Sequence, residues 1–403
     1  VNGREHSSGR CAVPHLGCEF AIQDLDNKQQ RNLFITPPDN TAVLTLPYAE
    51  PENLKIGDEC RLLISLRLKQ RCAWAEAGHE LGWEEFVLPF RSLTPPAPEP
   101  IRKGAVEVTD NGVLHIADSS GVVVETAAKL NLWRATTDND CRRHNFATLP
   151  VGDFAGNIWW SEGLFDQKRT GVLVRKEGAD TVVVSTYGTL AEHTMTIRQE
   201  ADGAFRFCNT IVYSPELRDL PRVGLELELP GTFSQVEYWG RGPWENYRDR
   251  NAGAPVGRYV TTVREMEEPY IVPQEYGNRT EVRELILSDG SRRLAIVPDL
   301  CMEFSVSRFD SHEMQRAHHW NDLKDSGRCF LHLDLLQRGL GTHSCGPDTL
   351  PEYRSPAGTY HFNFRLFWKA SRLHGALRRS TAPRHSSRTE LPHLFYKNRI
   401  PCR

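Results

Sequence analysis

No apolar run in this 403-residue chain approaches the ~18–20 residues that a membrane-spanning helix needs, so no membrane partner is expected. The polar start, Val1 to Arg10, lacks the apolar core of a signal peptide. Ten cysteines are scattered, and no two stand in a Cys-x-x-Cys pair, so spacing offers no structural zinc site and no metal is expected. A chain of this length does not need disulfides, and reduced thiols in a cytoplasmic protein are the expectation. Asn278-Arg279-Thr280 fits a glycosylation sequon and is read as chance. There is no internal repeat, and strands never alternate with helices of 10–15 residues, which excludes a (β/α)₈ barrel within these residues.

Net basic charge is also missing. The formal charge is −3, and nine of the 49 Lys and Arg lie from Lys369 onward beside a single acid, Glu390. The preceding residues therefore hold 40 basic against 51 acidic side chains, a balance of −11. A nucleic-acid binder needs a positive surface to displace counterions, so nucleic acid is not an expected partner.

What is present is a period of two. Leu225, Leu227 and Leu229 alternate with Glu226 and Glu228; Tyr360, Phe362, Phe364, Leu366 and Trp368 alternate with His361, Asn363, Arg365 and Phe367. Leu62 to Leu68 and Leu331 to Leu335 follow the same rule. Side chains on a strand point to opposite faces in turn, so this pattern predicts strands with one wet face. Turn signals at Asp110-Asn111-Gly112, Ala201-Asp202-Gly203, Ser288-Asp289-Gly290 and Pro356-Ala357-Gly358 break it into short strands. The fold class is all-β, an antiparallel sandwich architecture. The best helical signal runs from Asp310 to Trp320, with Asp310 or Ser311 as cap and Glu313 as the reciprocal acid.

Thr94-Pro95-Pro96-Ala97-Pro98-Glu99-Pro100 marks a stiff linker, 93–100. It separates a small β unit, 13–92, preceded by an irregular segment 1–12, from a large one, 101–369. The stretch 370–403 has no period and a basic, Ser-rich and Pro-rich composition that rarely folds alone.

Motifs for chemistry are weak on their own. Thr342-His343-Ser344-Cys345-Gly346 has Thr342 where a nucleophile elbow needs glycine. Gly240-Arg241-Gly242 is followed by Pro243 and lacks the third glycine of a dinucleotide loop. His312, His318 and His319 are placed on the short helix as surface or interface residues rather than metal ligands. Asp138, Asp140, Glu245, Asp249, Glu275, Glu281, Asp348 and Glu352 supply carboxylates, but glycoside hydrolysis needs two across a bond at a set separation. With Arg248, Arg250, Arg279 and Arg283 beside several of them, structural ion pairs are the favoured reading. Tyr238, Trp239, Trp244 and Tyr247 crowd a Gly/Pro/Asn stretch read as a loop or strand edge, where aromatic faces can stack on sugar C–H faces.

Five segments carry a resemblance. They are Leu132-Trp133-Arg134-Ala135-Thr136-Thr137-Asp138-Asn139-Asp140, the run from Tyr238 to Arg250, Pro269 to Arg279, Phe304 to Arg308, and Gly339 to Asp348. In this order they resemble the C-terminal region, or small chain, of the glycoside hydrolase family 2 β-galactosidases. Residues 13–92 resemble part of the immunoglobulin-like domain that precedes it. The resemblance implies a partial immunoglobulin-like sandwich followed by a large galactose-mutarotase-like β-sandwich. It also implies that the catalytic glutamates lie on an N-terminal (β/α)₈ barrel, with magnesium and sodium in that catalytic part and no cofactor in this chain. The implied partners are a β-galactoside or galactose, the barrel portion, and further copies in a homo-oligomer.

By the same resemblance the chain is non-catalytic. It closes one side of the sugar pocket through Cys345 and His343, with Asp138, Asn139, Asp140, Cys141 and Arg142 in a loop at the pocket mouth. Relatives often carry a stacking tryptophan at the position of Cys345, and Arg-Gly where Cys141-Arg142-Arg143 stands here. A truncated β-galactosidase product with read-through into the tail is the favoured origin, ahead of a separately encoded subunit. An autonomous carbohydrate-binding module and a mutarotase-like epimerase are the alternative functions.

Overall fold

The computed structural model describes residues 16–23, 28–33, 60–68, 70–88, 101–141 and 154–370. The segment 1–12, the linker 93–100, Arg142 and the tail beyond Ala370 lie outside the described residues. Strands dominate, and every described pairing is antiparallel. No helix of the described residues is long and apolar enough to cross a membrane.

A four-stranded sheet in the order β2-β1-β3-β4 comprises β1 (Leu16–Gln23), β2 (Lys28–Leu33), β3 (Arg61–Leu68) and β4 (Glu80–Val87). Along β3 the expected alternation is imperfect: Leu62 and Leu68 are buried, whereas Leu66 is exposed. The pairing of β3 with β4 shifts register between Leu66 and Arg67, and such a bulge turns the following side chains to the other face. Arg61 donates to Glu85 Oε1 at 2.6 Å, and Glu85 Oε2 accepts the Val256 N–H at 3.1 Å. One carboxylate thus joins the small sheet to the large sandwich.

The sandwich begins with β5 (Ile101–Arg102) and a meander of β6 (Ala105–Val108), β7 (Leu114–Asp118) and β8 (Gly121–Thr126), followed by β9 (Lys129–Asn131). The larger sheet takes β10 (Gly171–Glu177), β11 (Asp180–Tyr187), β12 (Ala191–Gln199) and β13 (Phe205–Tyr213). β14 (Arg222–Pro230) crosses to the second sheet before β15 (Gln235–Arg241) and β16 (Val256–Thr262) return. The remaining strands are β17 (Arg279–Val282), β18 (Glu284–Ser288), β19 (Arg293–Pro298), β20 (Met302–Ser307), β21 (Arg328–Gln337) and β22 (Thr359–Lys369). The larger sheet runs β10-β11-β12-β13-β22-β19-β18-β15-β16, with β5 on β22, and the smaller runs β17-β20-β21-β14-β9.

Between these sheets lies the main core. Met195, Phe207, Leu285, Ile296, Phe364 and Leu366 come from the larger sheet; Leu225, Leu227, Phe304, Val306, Leu331 and Leu333 face them from the smaller. The alternation on β22 behaves as read, with Phe362, Phe364 and Leu366 inward. Phe367 points the other way and is buried as well, against Ala204, Ile286 and Ala295.

The second face of β14, β20 and β21 is not wet, contrary to the one-wet-face expectation. Arg222, Glu226, Glu303, Ser305, His332 and Asp334 all lie there, and all are buried. Segments 132–137 and 275–278 and helix α2 (Ser311–Arg316) cover it. Glu275 donates its N–H to Ala135 O at 2.9 Å, Tyr276 Oη meets Ser307 Oγ at 2.7 Å, and Gln315 Oε1 accepts from Thr136 N at 2.7 Å. A buried charge costs several kcal/mol unless it is paired, and pairing is what the layer provides. Arg222 donates to Asp334 Oδ2 at 2.9 Å and to His332 Nδ1 at 2.8 Å. His332 Nδ1 must therefore accept, so the neutral ring carries its proton on Nε2, turned toward Glu226 Oε2 3.4 Å away. β14 reaches this layer because residue 224 is glycine: a Cβ there would sit 2.3 Å from Asp334 Oδ1 and from Leu333 O.

Two local readings need correction. The helix predicted over Asp310–Trp320 is only α2, capped by Asp310, which accepts from the N–H groups of His312 and Glu313 at 2.8 and 3.1 Å. His318 and His319 lie beyond its end, where both N–H groups bond Asp322 Oδ2, so the three histidines do not share a helix. Tyr238 and Trp239 are likewise not at a sheet edge. They sit on β15, paired on both sides, with Tyr238 in the core and Trp239 flanked by Arg258 and Arg283 at 4.8 and 5.7 Å. Tyr247 is buried, and of the four only Trp244 is largely exposed.

Glu303 generates a stability prediction. Burial raises its carboxyl to about 8; the Asn278 amide opposes that and the nearby Asp334 charge reinforces it. Asp334, raised by burial against the pull of Arg222, lies at about 6. A carboxyl raised on folding binds more protons in the folded than in the unfolded chain, so its contribution falls as pH rises from the unfolded value to the folded one. The protein is expected to lose denaturant resistance between about pH 5 and pH 8 through these two groups. Glu303→Gln, whose amide can pair with the unpartnered Asn278 Oδ1, should flatten the upper part of that loss. Urea midpoints measured against pH check this, and parallel curves for the two proteins refute it.

Candidate functional site

After β9 the backbone stays extended through Thr137 and then closes a turn, in which Asp140 and Cys141 donate their N–H groups to Thr137 O at 3.0 and 3.1 Å. Asp140 is fully buried and accepts four hydrogen bonds. Arg134 Nε and Nη2 reach its two oxygens at 3.1 and 2.6 Å, and Thr137 N and Oγ1 reach Oδ2 at 2.9 and 3.0 Å. Its carbonyl accepts the N–H of Gly156 at 2.9 Å, at the start of helix α1 (Ala155–Ser161). A Cβ at residue 156 would lie 2.8 Å from Thr136 Cγ2 and 3.0 Å from Asp140 O, so the approach requires glycine. Cys141 is buried, its Sγ 3.0 Å from Thr136 Oγ1.

Arg134 binds a second segment with its remaining N–H groups. Nη1 donates to Arg338 O, and Nη2 to Gly339 O at 3.2 Å. Its guanidinium stacks over Trp159 of α1, 5.2 Å from the ring centre. Arg338 in turn donates to Asp219 at 2.5 Å and to both oxygens of Asp348 at 2.9 and 2.8 Å. Burial works against the Asp348 charge, but the Arg338 contacts outweigh it and hold that carboxyl below its ordinary range.

The segment that follows, 339–346, is held from two more sides. Asp249 accepts the N–H groups of Leu340 and Gly341 at 3.0 and 2.7 Å. Asn139 donates to Gly341 O at 2.8 Å and accepts from Ser344 N and Oγ at 3.0 and 2.7 Å. The chain then turns tightly, with Cys345 and Gly346 both donating to Thr342 O. This leaves an exposed rim of Asp138, Thr342, Ser344 and Cys345. Asp138 keeps its side chain outward while its N–H donates to Gln274 Oε1 at 3.2 Å. His343 stacks on Phe154 with ring centres 4.2 Å apart, and its Nδ1 finds no hydrogen-bond partner among the described residues.

Of the residues anticipated at the pocket, Asp138, Asn139, His343 and Cys345 therefore meet at one rim. Asp140 and Cys141 lie beneath it as supports, and Arg142 falls outside the described residues. Ion pairing accounts for most of the anticipated carboxylates. Glu245 meets Arg250 at 2.6 Å, Glu281 meets Arg241 at 2.5 Å, and Glu275 lies 3.5 Å from Arg222. Asp249 is different: it anchors backbone N–H groups. Sequence reasoning missed Arg134 and Arg338 as organisers. Their spacing relative to Asp140 and Asp348 was visible, but burial was not. Among the described residues no group of three or more His, Cys, Asp or Glu is arranged to hold a metal.

A family profile described as "Beta galactosidase small chain" matches residues 106–366, and one described as "Beta-galactosidase, domain 4" matches 14–89. Among curated proteins, the β-galactosidase of Priestia megaterium is 27% identical over 359 residues, covering 83% of this chain and 34% of its own. That of Vibrio cholerae is 30% identical over 374 residues, covering 85% and 35%. The chain thus spans about a third of the length of these relatives. A solved structure titled as a putative aldose 1-epimerase from Escherichia coli K12 covers 77% of the chain at 11% identity. Its TM-score of 0.27 is too low to specify the fold further.

The clasp made by Asn139 is directly testable. Asn139→Ala removes three hydrogen bonds, each contributing about 0.5–1.5 kcal/mol. Amide exchange at 341–345 should accelerate by about tenfold or more, while 225–229 in the core stay protected. Unchanged exchange in the rim would refute the clasp.

Proposed function

The chain belongs to the β-galactosidase small-chain family, and on that premise we propose that it is the non-catalytic, C-terminal part of a β-galactosidase that hydrolyses terminal β-D-galactosides such as lactose. In this reading the rim of Asp138, Asn139, His343 and Cys345 closes one side of the galactose pocket, and a catalytic barrel bearing the two glutamates closes the other. The observation that carries it is the triple hold on segment 339–346 by Arg134, Asn139 and Asp249, which presents a short polar rim without assembling a catalytic centre of its own. Hydrolysis by paired carboxylates needs an acid and a nucleophile or base facing one bond. Asp138 faces outward alone at this rim, and the carboxylates behind it are engaged: Asp140 by Arg134, Asp249 by backbone N–H groups, and Asp348 by Arg338. The magnesium and sodium of the family are assigned to the catalytic part.

Residues 13–92 are proposed to be an immunoglobulin-like spacer joined to the sandwich through Glu85. The complete enzyme is proposed to be a homo-oligomer. The proposed compartment is the cytoplasm.

Purified free of host enzyme, the 403 residues alone should not turn over a chromogenic β-galactoside, and mixing with a barrel-bearing portion should restore turnover. In the restored complex Cys345→Trp should lower KM more than it changes kcat, because an added stacking face strengthens sugar binding by about 1 kcal/mol without touching the bond that breaks. Turnover by the chain alone, or a Cys345→Trp effect confined to thermal stability, overturns the reading.

A further inference from the structure

Away from the rim, a cleft of about 280 Å³ opens between the 248–251 turn, strand β17 and the start of β20. Arg248, Asn251, Thr280, Glu281, Glu303 and Tyr353 give it polar walls, and Met302 and Leu335 give it an apolar side. Three features mark it as more than a surface dent. The Nη1 atom of Arg248 is buried and finds no hydrogen-bond partner among the described residues, while Nη2 donates to Glu352 O at 3.1 Å. Glu303 is buried at the cleft wall, where the Asn278 amide donates to Oε2 at 2.8 Å. Asn278, behind it, is wholly buried with Oδ1 unpartnered. Leaving a buried polar atom unmatched costs about 1–3 kcal/mol, so the Arg248 donor left open at the cleft wall favours an occupant that brings an acceptor such as a hydroxyl oxygen.

The charges narrow its class. Glu281 is already held by Arg241 at 2.5 Å and lies 3.7 Å from Arg283. An anion entering the cleft meets the carboxylate of Glu281, and a cation meets Arg248. A neutral molecule with several hydroxyls meets neither penalty. It would use the fork of Arg248, the amide of Asn251 and the carboxyl of Glu303, with its C–H face on Tyr353 and Leu335. Ligand cavities begin near ~300 Å³, so the space suits one sugar ring.

We propose that the cleft lined by Arg248, Asn251, Glu303 and Tyr353 is a binding site for a neutral monosaccharide, separate from the rim and independent of any catalytic barrel. Arg248 and Asp249 are adjacent in the chain but serve different places: Asp249 holds the rim backbone, and Arg248 faces the cleft.

Cys301 lies at the cleft and Cys345 at the rim, and both are exposed, so peptide-resolved alkylation of the full 403-residue chain reports on the two places separately. Probes are D-galactose and D-glucose, with D-galacturonate and D-glucosamine as the charged counterparts. At ten times its dissociation constant a neutral sugar that blocks the thiol should slow Cys301 alkylation about tenfold and leave Cys345 and Cys208 unchanged. Calorimetry should show the neutral sugars binding more tightly than either charged one. Arg248→Ala should weaken binding by about tenfold or more, the scale of one hydrogen bond to a charged group. Protection of Cys345 instead of Cys301, preference for a charged sugar, or no protection of Cys301 at saturating sugar would each overturn the proposal. The protection measurement needs only the unaltered chain, so it decides the matter even if Arg248→Ala fails to fold. Failure here leaves the β-galactosidase reading standing, since that reading concerns Cys345 and the restored complex.

Discussion

A guanidinium with no exposed surface must spend its N–H groups inside the protein, and the one on Arg134 joins three parts of the chain. It holds the Asp140 carboxylate of its own turn, the carbonyls of Arg338 and Gly339 from the end of β21, and the face of Trp159 on α1. Remove it, and Asp140 is left as a buried charge without a cation, a change that typically costs about 3–5 kcal/mol. Arg222 and Arg338 repeat the device in the layers beside it, against Asp334 and against Asp219 with Asp348. The order of the rim follows from this: the polypeptide around 138–141 and 338–341 has one arrangement that satisfies every donor on Arg134. The exposed residues between those supports inherit their positions.

Strand periodicity was legible where only one side of a strand is apolar and the other meets solvent. On β22, Phe362, Phe364 and Leu366 face the core as the alternation predicts, while His361 and Asn363 keep their contacts at or near the surface. The same alternation on β14 was misread, because leucine alternating with glutamate looks identical whether the polar face meets water or a second layer of protein. Only the cover provided by α2, by 132–137 and by 275–278 makes Glu226 a buried group. Turn chemistry transferred well: Gly112, Gly203 and Gly290 all adopt positive φ at the Asp- or Asn-led turns read from sequence. The helix over 310–320 was too long because its capping signal was right and its end had none. Ala317 is extended, and the chain re-forms a single 3₁₀ turn at Trp320–Asp322 under a new anchor, Asp322.

The candidate site divides the same way. The family resemblance placed Asp138 to Cys141 in one neighbourhood with His343 and Cys345, and the structure does bring them together. What linear reading could not do was separate presenters from supports. Asp138 and Asp140 are two residues apart, yet one faces solvent and the other is enclosed by Arg134 and Thr137. Sequence distance says nothing of that, because the partner that encloses Asp140 also depends on the 338–339 carbonyls two hundred residues away.

Asp249 and Glu303 show how the same principle assigns different tasks to similar groups. Asp249 is met by two backbone N–H groups, Leu340 and Gly341, that aim at its two oxygens. Such donors make the side chain an anchor. Glu303 is met by the Asn278 amide and a backbone N–H of Gln337 in a region already carrying Asp334, and burial there outweighs both hydrogen bonds, so its proton is retained to about pH 8. A carboxyl that keeps its proton near neutrality can donate as well as accept, which an anchor cannot. The cleft wall therefore holds a group suited to hydroxyl exchange with a polar ligand, and the rim backbone holds one suited to fixing a loop.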